Sequence, residues 1–245
     1  MKSLNIFINE KLHVSKVSNL KKPELKYFPE TREELDELLK KLFEERGPNA
    51  DLNDIDVSKI EDFDNLFDNE NFDGKLGDFR VEWWDVSNMK MANKMFRECS
   101  KFDCNLAKWD VSKCENFGRM FYYCKNFTGL GLDEWNTKSG KYMTSMFCHC
   151  DKFDQDLSKW NLSNCQETSS MFAYCRIFKG KGLENWDMSK VRNIFKMFSN
   201  CYKLRVNLDN WKLDSCEYSS KKELAFEKCS NMKKLPEWYK KEYNY

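Results

Sequence analysis

Cys148-His149-Cys150 is the one place where soft metal ligands stand side by side in this chain. Zinc needs four Cys or His ligands converging tetrahedrally. Cys148 has no partner in Cys-x-x-Cys spacing, and Cys150 belongs to a regularly spaced column of thiols, so no metal site is expected. A nucleophilic cysteine needs a base beside it to hold the thiolate. The chain has two histidines, His13 and His149, and neither is paired with a cysteine by any motif. Gly129-Leu130-Gly131 and Gly180-Lys181-Gly182 lack the third glycine of a dinucleotide loop and the Gly-Lys-Ser/Thr of a phosphate loop. They read as turns that admit one extra residue. The expectation is a non-enzyme with no catalytic residue, no metal and no cofactor. An enzyme would need convergent acids in a pocket off the repeat axis, for example in the acidic first third.

The thiol column leads to the element that must position it. Tryptophans fall at 84, 109, 135, 160, 186 and 211, at spacings of 25, 26, 25, 26 and 25. Counting each tryptophan as position 0, a Met-Phe pair recurs at +11 and +12 and a cysteine at +15, the latter as Cys99, Cys124, Cys150, Cys175 and Cys201, with Cys229 displaced. A fixed period of this size marks a stack of coils, each unable to bury its apolar face alone. Apolar residues at +8, +11, +12 and +15 have the i, i+3, i+4, i+7 spacing of a short helix. Ser at +3 reads as its N-cap, with capping boxes at Ser58/Glu61, Ser112/Glu115 and Ser163/Gln166. Trp-x-Val reads as a two- or three-residue strand with Trp109 and Val111 inward and Asp110 outward. The sequence therefore predicts an α/β repeat solenoid of about seven coils over residues 51–232.

Residues 1–50 are expected to form a hairpin, from the alternation of Ile6, Ile8, Leu12 and Val14, followed by a capping helix from Thr31 to Arg46. Leu35, Leu38, Leu39 and Leu42 give that helix an apolar stripe, and Gly47-Pro48 ends it. Ile55-Asp56-Val57-Ser58 opens a degenerate first coil, with an insertion near residues 72–83. In the last coil Ala225-Phe226 and Cys229 lie three residues late, and residues 233–245 read as a C-terminal cap. A second repeat spans two coils, since Cys114, Cys165 and Cys216 recur at +5 every 51 residues.

These units resemble the BspA-like leucine-rich-repeat family, in the branch that reads W-D-V-S-x-V-x-x-M-x-x-M-F-x-x-C-x-x-F-x-x-x-L. W-D-V-S stands at 84–87 and 109–112, W-N-L-S at 160–163 and W-D-M-S at 186–189. The resemblance covers about Ile55 to Met232. It implies a right-handed leucine-rich-repeat-like superhelix used for binding rather than catalysis, in bacterial surface proteins and in phage- and parasite-encoded ones.

Composition narrows the partner. With 41 basic against 40 acidic residues the net charge is +1, which gives no reason to expect nucleic acid. Residues 30–78 hold 17 Asp/Glu against 6 Lys/Arg, a net of −11 that suits a basic surface. No run reaches the ~18 apolar residues of a membrane helix. The start lacks the apolar core of a secretory signal, and the eleven cysteines read as free thiols. A cytoplasmic or virion-associated protein is expected, with a surface adhesin or receptor-binding protein as the alternative. The expected binding face is the outward column at +1, formed by Asp56, Asp85, Asp110, Asn136, Asn161 and Asp187, with Trp83 beside it. The competing reading of that column is that each Asp or Asn bonds its own following turn.

Overall fold

The computed structural model describes residues 22–217 and 219–243. The hairpin expected over residues 6–14 lies outside them. Two α-helices are present among the described residues, α1 (Arg32–Arg46) and α2 (Glu237–Tyr243), together with four short 3-10 turns. Helix α1 begins where the sequence places it. Thr31 accepts from the Glu34 amide at 3.2 Å, and Glu34 reaches back to the Glu30 amide at 2.7 Å. Leu35, Leu39 and Leu42 are buried against the first coil, and Gly47, at φ 78, ends the helix with its amide bonded to the Phe43 carbonyl.

Among the described residues between the two helices the coils contain neither strand nor α-helix, which overturns the α/β strand-plus-helix solenoid and the leucine-rich-repeat-like superhelix inferred from it. The reason lies in where the amides go. In the coil of Trp109, the amides at +8, +10, +12 and +14 belong to Phe117, Arg119, Phe121 and Tyr123. They donate to Tyr142, Thr144, Met146 and Cys148 of the next coil at 2.8–2.9 Å. The alternate amides, at +11, +13 and +15, close turns inside the coil by bonding three residues back: Met120 to Phe117, Tyr122 to Arg119 and Cys124 to Phe121. An α-helix would need all of these amides for its own i−4 carbonyls. Here half of them tie one coil to the next, so every backbone donor is used without a helix.

The turns demand a positive φ at their third residue. It occurs at +10 in Lys94, Arg119, Ser145, Ser170 and Lys196, and at +14 in Glu98, Tyr123, His149, Tyr174 and Asn200. A left-handed L-residue costs roughly 1–2 kcal/mol, which the ladder of inter-coil bonds must offset. The i, i+3, i+4, i+7 pattern is thus met by consecutive turns that happen to share the spacing of a helix face. Parallel pairing between coils is reduced to isolated bridges, most of them in a column at +7 that runs from Asp62 through Met91, Asn116, Tyr142 and Glu167 to Asn193, with a further one between Asp51 and Arg80. In the tryptophan coils it does not occur at Trp-x-Val; among the described residues the first coil alone is bridged there, between Ile55 and Tyr27.

Side chains at equal positions stack in columns. The +12 rings from Phe67 to Phe226 lie 5.4–5.7 Å apart, centroid to centroid. The tryptophans from Trp109 to Trp211 lie 6.3–6.5 Å apart, and Trp238 of α2 adds a further rung at 6.4 Å. Each indole also donates to the −3 carbonyl of the coil before, as Trp135 does to Leu106 at 3.1 Å and Trp238 to Leu208 at 2.8 Å. A buried ring with a polar edge is stable there because that edge is satisfied.

The thiol column follows the same rule. Cys124 donates to the Phe96 carbonyl at 2.9 Å, Cys150 to Phe121 at 3.0 Å and Cys175 to Phe147 at 3.0 Å. Cysteine suits the site because it is small, apolar and still a weak donor. The Ser residues at +3 are turn residues rather than helix caps. The +6 side chains assigned to capping boxes instead pair between coils: Lys90 with Glu61 at 2.6 Å and Lys141 with Glu115 at 2.7 Å. The acid–base alternation along this column follows the two-coil repeat.

Candidate functional site: a ring column on the turn-built face

The +14 side chains project from the turn-built side, in register because the coils are in register. In three consecutive coils they are Tyr123, His149 and Tyr174. Tyr123 and His149 stack at 4.0 Å with 23° between planes, and His149 and Tyr174 at 4.1 Å with 10°. Tyr122 leans on Tyr123 at 4.7 Å and meets His149 edge-on at 6.4 Å. The frame requires a left-handed residue at +14 but not a ring, as Glu98 and Asn200 at the same position show. Tyr174 of this column is exposed, as is Tyr202, whose hydroxyl donates to Asn200 at +14 at 3.2 Å.

Charge borders the rings. Lys125 Nζ lies 5.9 Å from the Tyr123 centroid, and Arg176 pairs with Asp151 at 3.4 Å. Burial pulls the His149 pKa below its ordinary value; Asp151 opposes this, and Arg176 and Lys125 reinforce it. Burial likewise raises the Tyr122 pKa. The imidazole is therefore neutral at physiological pH, and the column presents neutral ring edges and phenol tips. Both faces of His149 and the inner faces of Tyr123 and Tyr174 are spent on one another. That leaves little for a sugar ring, which would stack on an open face, and suits a protein surface that meets ring edges and hydroxyls.

The tripeptide at 148–150 diverges. Cys150 points into the thiol column, His149 joins the rings, and Cys148 is buried with its thiol pushed up to about 12 by that burial. Among the described residues no group of three or more His, Cys, Asp or Glu is placed to hold a metal ion. All eleven cysteines are buried free thiols. No helix among the described residues is long and apolar enough to cross a membrane.

The residues expected from sequence do form a column, but its oxygens are engaged. Asp56, Asp85, Asp110, Asn136, Asn161 and Asp187 each accept from the amide two residues on, at 2.9–3.2 Å. The Asp85 and Asp187 carboxyls are held below their usual range by the hydrogen bonds of Ser87 and Ser189. Trp83 is half-buried, with Lys108 Nζ 3.0 Å above its ring and its amide bonded to Asn53 at 2.8 Å. The +14 rings are not apparent from the sequence columns beside tryptophan, where the outward face is expected, nor from the apolar columns of the core. The signal was present as three aromatic or imidazole side chains in a row at one repeat position.

A family model described as "Mycoplasma protein of unknown function, DUF285" matches residues 37–130 and again residues 128–238. The chain belongs to that family. Two successive matches to one model are what a repeat sequence produces, and the join at 128–130 falls in the loop of one coil. No curated protein and no solved structure matches the DUF285 chain.

Proposed function

We propose that this chain is a non-enzymatic binding module that recognises a protein through its turn-built face. The observation that carries the reading is the Tyr123–His149–Tyr174 stack, which the frame does not need and which leaves tyrosine edges toward solvent. Tyrosine with nearby arginine is the side-chain chemistry enriched where interfaces draw most of their energy. The BspA-like resemblance of the repeat supports a binding role. Burial of every thiol, with raised pKa values such as that of Cys150, argues against a nucleophile and favours a reducing compartment.

Immobilised protein would capture the partner from lysate of the source cell, in parallel with two folded variants. Tyr123→Ala/His149→Ala/Tyr174→Ala is expected to lose the partner. Asp85→Lys/Asp110→Lys/Asp187→Lys is expected to keep it. Loss of the partner only in the aspartate variant would move the site to the +1 column and sink this reading.

A further inference from the structure

Between the apolar residue at or near +18 and the aliphatic one at −3 each coil crosses one edge of the stack in a loop. The charge of these loops reverses along the chain. The first, second and fourth carry Asp73 and Asp78, Asp103, and Asp154 and Asp156; the fifth, sixth and seventh carry Lys179 and Lys181, Arg205, and Lys233 and Lys234. Most charges of the minority sign are already paired, Lys75 with Asp73 at 2.9 Å, Arg80 with Glu82 at 2.9 Å and Asp209 with Lys234 at 3.5 Å, while Glu184, on the rim of the basic half, accepts from the Gly182 amide at 3.1 Å. At the centre Asp154 pairs with Lys179, and Asp156 with Lys181 at 2.6 Å. Among the described residues, exposed Asp78 is left without a salt-bridge cation at one end, and exposed Arg205 and Lys233 without a carboxylate at the other. The basic half is also grooved. A cavity of about 360 Å³ lies over Val206 and Met232 beside Arg205 and Lys233, and one of about 450 Å³ continues past Arg205 to Lys181.

We infer that this edge is self-complementary and that two copies pair along it, side by side and antiparallel. A two-fold axis through the fourth loop sets the first loop of each copy over the seventh of the other, and the second over the sixth. Asp78 then faces Lys233 and Lys234, and Asp103 faces Arg205. Such a contact is isologous and closes at two copies. Six steps of roughly 4.8 Å make a strip about 29 Å long. A strip so narrow belongs with small transient interfaces, so the pairing is weak and salt-sensitive. It uses different residues from the ring column and stands or falls separately from the proposed function.

Sedimentation velocity across a concentration series tests it. The wild-type chain is expected to form a dimer at about 50 mM salt and to weaken at least ~10-fold at about 500 mM. Lys233→Glu/Lys234→Glu and Asp73→Lys/Asp78→Lys each alter exposed side chains, and each alone should lose ~10-fold or more in self-association. Mixed in equal amounts, the two variants should recover pairing to within a few-fold of wild type, because each supplies the sign the other lacks. A wild-type monomer at ~200 μM in low salt, a dimer indifferent to both reversals, or a mixture that stays monomeric would overturn the inference. A monomer that binds a poly-glutamate peptide at Arg205 would overturn it too, by giving the groove to a foreign acidic segment.

Discussion

The columns at +1 and +14 are both outward positions of the same repeat, yet they serve different ends. At +1 the side chain is Asp or Asn in six coils, and in each it accepts the amide two residues ahead. The residue is uniform because the turn needs that oxygen. At +14 the backbone is uniform, with φ near +60° in Glu98, Tyr123, His149, Tyr174 and Asn200, while the side chain is free to vary. Uniform side chains mark the frame, and variation on a uniform backbone marks the surface available for recognition.

Interior columns give the largest effects against which to set this contrast. Trp135→Ala removes a rung between Trp109 and Trp160 together with the bond to the Leu106 carbonyl. Chemical denaturation should show a loss of about 3–5 kcal/mol; a loss under ~1 kcal/mol would mean that the tryptophan column is not the core. Asp110→Ala should cost about 1 kcal/mol, since only the Ser112 amide loses its acceptor, and partner capture should be unchanged. Reduced capture without reduced stability would blur the division between the two columns.

Ser145→Gly tests the backbone at +10 and should stabilise slightly. Ser145 has a φ of 54°, and glycine occupies that region without the Cβ clash. A gain of a few tenths of a kcal/mol is expected, the relieved strain being partly cancelled by the looser unfolded chain. Destabilisation would show that the Ser145 side chain contributes more than the turn.

The smallest effect concerns His149. Its folded pKa lies below the ordinary value of 6.5 because burial opposes the charge. The unfolded chain therefore holds a proton at pH values where the folded chain has lost it, so stability rises with pH there. Stability is lost as pH falls through 6.5 toward the lower folded value. His149→Phe keeps a ring in the stack and should flatten that part of the pH dependence of the urea midpoint, with His13 common to both proteins. An unchanged profile would place His149 outside the stack.

Much of the frame is legible in the sequence, because one signal recurs coil after coil. The tryptophan period, the buried Met-Phe pair, the thiol column, the Thr31 cap of α1 and the three-residue displacement at Ala225 all appear in the structure, the last as the Phe198 amide bonding Ala225 at 2.8 Å. The helix was misread because a chain of turns and a helix face share one apolar spacing. What separates them is whether the Phe121 amide bonds Phe117 or Met146, and the second partner lies one coil away. In the sequence Trp238 reads only as part of the C-terminal cap, since its column becomes visible when α2 is seen to pack on Trp211. Cys148-His149-Cys150 drew attention as potential ligands, although the informative comparison for His149 was with Tyr123 and Tyr174, 26 residues before it and 25 after.

Hydroxyl-radical footprinting of the chain, alone and with its captured partner, is the most direct test of which face binds. Tyr174, with its exposed ring, and half-buried Trp83 both react readily and stand in different columns. The account predicts that the partner slows oxidation of Tyr123, His149 and Tyr174 and leaves Trp83 unchanged. Protection of Trp83 with the ring column still reactive would contradict it and return the binding face to the neighbourhood of the aspartates.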